Sequence, residues 1–297
     1  MTLRALYDVP APAKLNLFLH VVGRRADGYH LLQSLFVPID WADRLHFERR
    51  SDARLARHDL GAELPADDLS LRAARALQQA SGTAQGADIT LDKQVPWGAG
   101  LGGGSSDAAS TLLALNRLWG LRWPRERLAR LAFALGADLP FFLGPGPAFV
   151  EGIGERLTPL ELAPAEYLVV KPEPALATRD IFAHPLLGRD SEALILAGSL
   201  ADSALRPDYG RNDLQAAAEA MCPEVAQAAR WLEARFGSSR MSGSGSAVFA
   251  RVDEFYGNAQ SPVATPVVQA LDDLRRTHPG WVARRCRSLA RHPLADW

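Results

Sequence analysis

The chain has 297 residues, 47% of them hydrophobic, enough to bury a substantial core in one large or two smaller domains. Lys and Arg total 33 against 34 Asp and Glu, a balance that gives no general attraction for nucleic acid or an anionic membrane. Cys222 and Cys286 are far apart and lack metal-type spacing, which argues against a disulfide framework and for a reducing compartment.

The N-terminal residues 1–10 contain no apolar run of signal-peptide length, and no later segment approaches bilayer-spanning length, so a cytoplasmic protein is expected. Over residues 13–21 apolar positions alternate. Leu15, Leu17, Leu19 and Val21 are predicted on one face of a strand, with Lys14, Asn16, Phe18 and His20 on the other. Residues 23–28 form a polar turn and residues 31–39 a partner strand, giving a hairpin, with a further strand over 44–48. Leu69, Ala73, Ala76, Leu77 and Ala80 recur at helical spacing, and Ile89 and Leu91 begin a strand that runs into Pro96. After a glycine-rich turn, Ser105 or Ser106 caps a helix that turns Ala108, Ala109, Leu112, Leu113 and Leu118 inward and stops at Gly120. Pro124 opens the next helix, with Leu128, Leu131, Ala132 and Leu135 as its buried stripe and Gly136 at its end.

Strands over 148–150 and 167–171 bracket a proline-rich stretch, where the domain boundary is placed between 1–163 and 164–297. Helices over 213–221 and 223–236 precede a glycine-serine turn, Met241-Ser242-Gly243-Ser244-Gly245-Ser246, and a strand over 247–252. Residues 254–266 are polar and rich in breakers, hence a surface loop, and a last helix and strand close the chain. No internal repeat is present, and the mixture is α+β.

The chemistry concentrates in Pro96-Trp97-Gly98-Ala99-Gly100-Leu101-Gly102-Gly103-Gly104-Ser105-Ser106, between a strand and a helix. Glycine permits positive φ and close approach of N–H groups to a ligand, and the following helix start adds unpaired donors, a combination suited to a triphosphate. Gly98, Gly100 and Gly103 satisfy the dinucleotide spacing. That fingerprint also needs an acid about twenty residues on, after a strand, and here a helix containing Glu126 follows. A P-loop is excluded because no Gly-Lys-Ser/Thr follows the glycines.

A cation must therefore come from elsewhere, and Lys14, on one strand face with Asn16, is the candidate; the alternative is a solvent-facing strand lysine. Asp138, a lone carboxylate in Leu135-Gly136-Ala137-Asp138-Leu139-Pro140, is a candidate base or equally a helix N-cap ahead of Pro140. Gly243 and Gly245 offer either a second backbone surface over phosphates or an ordinary turn. Asp27-Gly28-Tyr29-His30 is a hairpin turn whose aromatic and imidazole can read a flat base.

In order and separation, the lysine strand, the glycine-serine loop and the late Gly-Ser-Gly turn resemble the three motifs of the GHMP kinase family. Pro12-Ala13-Lys14-Leu15-Asn16-Leu17, the Asp27–His30 turn, the five-glycine loop and Gly136-Ala137-Asp138-Leu139-Pro140 are similar to the branch acting on a cytidylyl-bearing alcohol. The resemblance implies two α+β domains with the active site in the cleft between them. It implies Lys14 and Asp138 as catalytic residues, with residues 96–106, Gly243 and Gly245 around the phosphates of ATP. It also implies that Asn16 and His30 hydrogen-bond the substrate, that Tyr29 stacks on cytosine and that Phe182 covers its other face. ATP chemistry brings Mg2+, for which no acidic cluster in the sequence identifies ligands. The expected partners are small molecules, neither nucleic acid nor membrane. A family member for another alcohol, of mevalonate, homoserine or sugar type, is the competing expectation.

Overall fold

The computed structural model describes residues 3–61, 63–194, 209–252 and 266–297. The predicted loop over 254–266 therefore lies, except for Pro266, outside the described residues.

Strand β1 (Ala5–Arg24) and strand β2 (His30–Arg50) form one long antiparallel hairpin. Its turn closes through a hydrogen bond from Arg25 N–H to Tyr29 O at 2.7 Å, with Gly28 at φ +92°. The strand predicted over 44–48 is the second half of β2. Between the pairs Pro12/Ala42 and Lys14/Pro38 the chain of β2 bulges rather than breaks. That second half pairs with β4 (Gly86–Asp92), which pairs in parallel with β3 (Leu55–Leu60). The first half pairs with β5 (Ala148–Gly152), which pairs with β6 (Arg156–Pro159).

A second bulge corrects the predicted strand faces. Asn16 pairs with Phe36 and Leu19 with Ser34, so three residues of β1 span two of β2 and the alternation inverts. Leu19 thereby joins Lys14 and Asn16 on one face. Phe18 and His20 turn to the opposite one, where Phe18 meets Phe149 with ring centroids 6.4 Å apart.

Helices α1 (Leu69–Ser81), α2 (Gly103–Leu118), α3 (Arg125–Phe133) and α4 (Leu139–Phe142) form a core with one face of this sheet, in which Phe36, Phe47, Leu77, Leu112 and Phe142 are buried. Asp68 caps α1 by accepting from Ser70 N and Leu71 N, and Gly82, at φ +68°, ends it.

The second sheet has the order β10-β7-β9-β8, all antiparallel: β7 (Glu166–Lys171), β8 (Arg240–Met241), β9 (Val248–Arg251) and β10 (Val282–Arg287). Between β7 and β8 run α5 (Thr178–Ala183), α6 (Gln215–Met221) and α7 (Pro223–Phe236), and α8 (Pro266–Thr277) follows β9. One face of the sheet packs on α6, α7 and α8. The other packs on the long hairpin, where Leu15, Leu17, Phe18 and Val37 meet Tyr167, Val169 and Phe249 in one apolar cluster. Cys286 lies in that cluster and Cys222 beside α7. Burial raises both thiols above their ordinary range, so neither is a ready thiolate.

After β10 the chain returns to the first sheet and its helices. Leu289 N donates to Pro38 O at 2.8 Å and His292 N to Pro145 O at 2.7 Å. Leu294 enters the helix-sheet core, and Arg117 lies over the Trp297 ring. Among the described residues no helix is long and apolar enough to cross a membrane.

Candidate active site

The glycine-rich loop folds by alternation. Gly98, Gly100 and Gly102 all adopt positive φ, between 65° and 71°, a region that costs a side-chain-bearing residue but not glycine. Gly102 is the residue from which α2 starts, so the predicted capping role of Ser105 or Ser106 is not realised. Ser106 N–H is the first to bond back, to Gly102 O at 2.9 Å. The amides of Gly103, Gly104 and Ser105 precede the intrahelical ladder and meet no capping side chain, the arrangement that suits an anion.

The late glycine-serine turn packs against this loop. Gly243 is at φ +54° and Gly245 at φ +84°. Ala247 N donates to Ala99 O at 3.0 Å, and Ser242 Oγ donates to Gly100 O at 3.1 Å. A Cβ on Gly100 would fall 2.1 Å from Ser242 O, and one on Gly243 would fall 2.8 Å from Gly100 O and 3.2 Å from Lys14 Nζ. The glycines here serve backbone-to-backbone contact between the two halves of the chain.

Lys14 is wedged between these turns. Its N–H donates to Leu101 O at 2.9 Å, its side chain is almost wholly buried, and Nζ donates to Asn16 Oδ1. Burial pushes its pKa down, and Asp138, whose Oδ2 lies 3.9 Å from Nζ, partly opposes that shift. Asp138 itself sits at a helical φ of −81° and ψ of −16°, and its side chain makes no capping bond to α4. Its carboxylate, 38% exposed, is left to face Lys14 and the cleft.

Asn16 is fully buried: Nδ2 donates to Ser34 Oγ at 2.9 Å, Oδ1 accepts from Lys14, and the backbone N–H donates to Ser242 Oγ at 3.2 Å. Its side-chain carbonyl is thus committed to orienting Lys14, and one amide N–H anchors it to β2. His30 and Phe182 come together from the hairpin turn and α5, their rings stacked 5.0 Å apart at 22°. Tyr29, beside His30 in sequence, is exposed.

The cleft encloses about 340 Å³, with Lys14, Asn16, Asp138, residues 96–105, Phe182, Gly243 and Gly245 in its walls. A second hollow of about 460 Å³, between Leu64, Pro65 and Val95, shares Lys93, Pro96 and Trp97 with it.

Two groups went unnoticed in the sequence. The Lys93 side chain is largely buried and donates to Asp43 and, at 2.7 Å, to Asp107 Oδ2. Asp43 Oδ1 in turn accepts from Gln94 N and Val95 N, so the network holds both ends of the phosphate loop. Burial raises the Asp107 carboxyl well above its ordinary range, and Lys93 opposes this. Arg189 reaches His30. The available signal for the first group was local, a lysine just before the loop and an acid just after it; for Arg189 there was none.

Among the described residues no cluster of His, Cys, Asp or Glu could hold a metal ion by itself. Oxygen donors in the cleft, among them the Asp138 carboxylate and the Ser105, Thr178 and Ser244 hydroxyls, are of the kind that suits a hard cation.

A buried lysine beside a carboxylate, under a glycine loop at a helix start and between two α+β domains, defines a small-molecule kinase. Residues 68–146 match the GHMP kinases N terminal domain and residues 191–259 the GHMP kinases C terminal domain, and the chain belongs to this family. The 4-diphosphocytidyl-2-C-methyl-D-erythritol kinase of Methylibium petroleiphilum is 61% identical over 297 residues, covering 100% of this chain and 99% of that one. The enzyme of the same name from an Acidovorax species is 53% identical, covering 99% of each. A crystal structure of 4-(cytidine 5'-diphospho)-2C-methyl-D-erythritol kinase superposes with a TM-score of 0.75 at 36% identity, covering 94% of this chain and 98% of that one. Homoserine kinase from Cytophaga hutchinsonii, at TM-score 0.68 and 16% identity over 98% of this chain and 96% of its own, shares the fold.

Proposed function

We propose that the chain transfers the γ-phosphoryl group of ATP to the 2-hydroxyl of 4-diphosphocytidyl-2-C-methyl-D-erythritol, a step of the methylerythritol phosphate route to isoprenoid precursors, in the cytoplasm. The observation that carries this reading is the Lys14–Asp138 pair beneath the glycine loop, in a chain that matches kinases of that name from end to end. Asp138 accepts or orients the proton of the attacking hydroxyl, and Lys14 offsets the charge that spreads over the transferring group. The amides at the start of α2 and along residues 97–105 hold the phosphates, propped from behind by Gly243 and Gly245. The apolar hollow beyond Pro96 and Trp97 receives the adenine, since it opens off the same loop.

His30, Tyr29 and Phe182 form the cytidine end, and the one Asn16 amide N–H left over from its buried network is available to the polyol. The Asp138 carboxylate and the Ser105 hydroxyl would hold Mg2+ together with the nucleotide's phosphates, and the ion would offset the phosphates' charge. The two domains are taken as 1–163 and 164–297, dividing between β6 and β7.

The test is ATP consumption by the purified chain with Mg2+, offering in turn the cytidylyl substrate, methylerythritol phosphate, mevalonate and homoserine. Turnover with the first alone is expected. Turnover with mevalonate or homoserine instead would keep the kinase and discard the substrate.

A further inference from the structure

In the segment after α5, Arg189 reaches across to the hairpin turn. Its Nε donates to His30 Nε2 at 3.3 Å and Nη1 to Leu187 O at 3.2 Å, while Nη2 donates to Phe182 O at 3.3 Å and His184 O at 3.4 Å. All four acceptors are uncharged. The same guanidinium thus grips the end of α5, which carries Phe182, and the imidazole that stacks on the Phe182 ring.

An arginine Nε–H is a permanent donor, so the nitrogen that faces it must be an acceptor. The imidazole is then neutral and its single proton sits on Nδ1. We infer that Arg189 is a positioning residue for recognition of the cytidylyl group: it locks His30 against Phe182 in the Nδ1–H form, so that the ring offers the base a donor. The inference rests on the substrate proposed above.

Cytosine presents acceptors at O2 and N3, whereas uracil carries a hydrogen at N3. A ring fixed as a donor at Nδ1 matches cytosine at either position and opposes uracil at N3. The Nε2–H tautomer would present an acceptor at Nδ1 and lose that match. Protonation would set a proton against the guanidinium. The charged groups acting on the ring are Arg189 and, from β1, Arg24; both are cations, and together with burial, the largest cause, they keep His30 below the ordinary histidine range.

The test begins on the intact chain without nucleotide, by nitrogen NMR of labelled histidines, with His30→Gln identifying the signal. Wild type is expected to show His30 as the Nδ1–H form, titrating below the ordinary value of about 6.5. Arg189→Gln should raise that midpoint and mix the tautomers. In steady-state assays the same variant should raise KM for the cytidylyl substrate by up to about tenfold, the scale of one lost neutral hydrogen bond. Its kcat and KM for ATP should stay within about twofold, on that same scale. Arg189→Lys, which keeps the charge but not the Nε–H, controls for folding and should mix the tautomers as Arg189→Gln does while holding the midpoint nearer to wild type. An Nε2–H tautomer in wild type, or a loss shared equally by kcat and both KM values, would overturn the inference. If the cytidylyl compound is not turned over at all, the substrate proposal fails, while the ligand-free spectra still decide the link between Arg189 and His30.

Discussion

Lys14 Nζ and Asp138 Oδ2 lie 3.9 Å apart, the first held by a strand of the long hairpin and the second by the turn into α4. At that separation the two are a close ion pair without a direct hydrogen bond, leaving the Asp138 oxygens free to accept from a third group. Asp138→Asn preserves the shape and removes the acceptor of the proton. Single-turnover phosphoryl transfer should slow by roughly 10²–10⁴-fold while ATP still binds, the range of general base catalysis. An unchanged rate would remove Asp138 from the chemistry.

Lys14→Met should separate stability from activity. Burial holds the Lys14 pKa below its ordinary value, so between the two values the unfolded chain binds more protons than the folded one. Lys14 therefore penalises the folded state at neutral pH, and the penalty fades as pH rises toward about 10.4, the ordinary lysine value. Thermal unfolding at pH 7 should show the variant as stable as wild type or more so, by up to ~2 kcal/mol, with turnover abolished. A less stable variant would mean that the contacts of Lys14 outweigh its desolvation.

Gly100→Ala should be damaging far beyond a missing hydrogen. The new methyl would meet Ser242 O at 2.1 Å, and the positive φ of 71° disfavours any side chain. The strain falls on the seam between the glycine loop and the late turn. Denaturant unfolding should show a loss of roughly 1–3 kcal/mol, and KM for ATP should rise. Gly82→Ala serves as the comparison, since it has a similar φ of +68° but open space around it, and should leave KM for ATP unchanged.

His292 should give the protein an acid-sensitive joint. Burial, helped by Arg125, pushes its pKa down to about 4, and Nδ1 accepts from Leu294 N. Its folded value lies below its unfolded one, so its contribution is complete above about pH 6.5 and is lost as pH falls through about 4. The shift corresponds to about 3 kcal/mol. His292→Asn retains an acceptor for Leu294 N and should flatten the stability curve across that window. A curve of unchanged slope would place the acid sensitivity elsewhere.

What could be read from the sequence was what is written locally. Five glycines ahead of an alanine-rich helix announce a phosphate loop because backbone freedom and helix donors are properties of neighbouring residues. Pro223 at the start and Gly237 past the end bound α7 for the same reason. The failures required knowledge of partners. Strict alternation placed Phe18 and His20 beside Lys14 because nothing in residues 16–19 announces a bulge, which is defined by the register against β2. Ser105 and Ser106 were good caps by type, but the left-handed Gly102 began the helix before them. That Asp138 faces Lys14 and that Lys93 joins Asp43 to Asp107 are consequences of tertiary folding. The family resemblance, carried by whole motifs in order, pointed to the first of these pairs.

The return of the last residues to the first sheet bears on synthesis. Leu294 belongs to the same buried cluster as Phe47 and Leu112, and Arg125 donates to its carbonyl. A ribosome that has made β1 through β6 and their helices has therefore not yet supplied every piece of that core. The chain between β7 and β10 is therefore made before Leu294, and the first core receives this side chain only after the second sheet's strands have been synthesised.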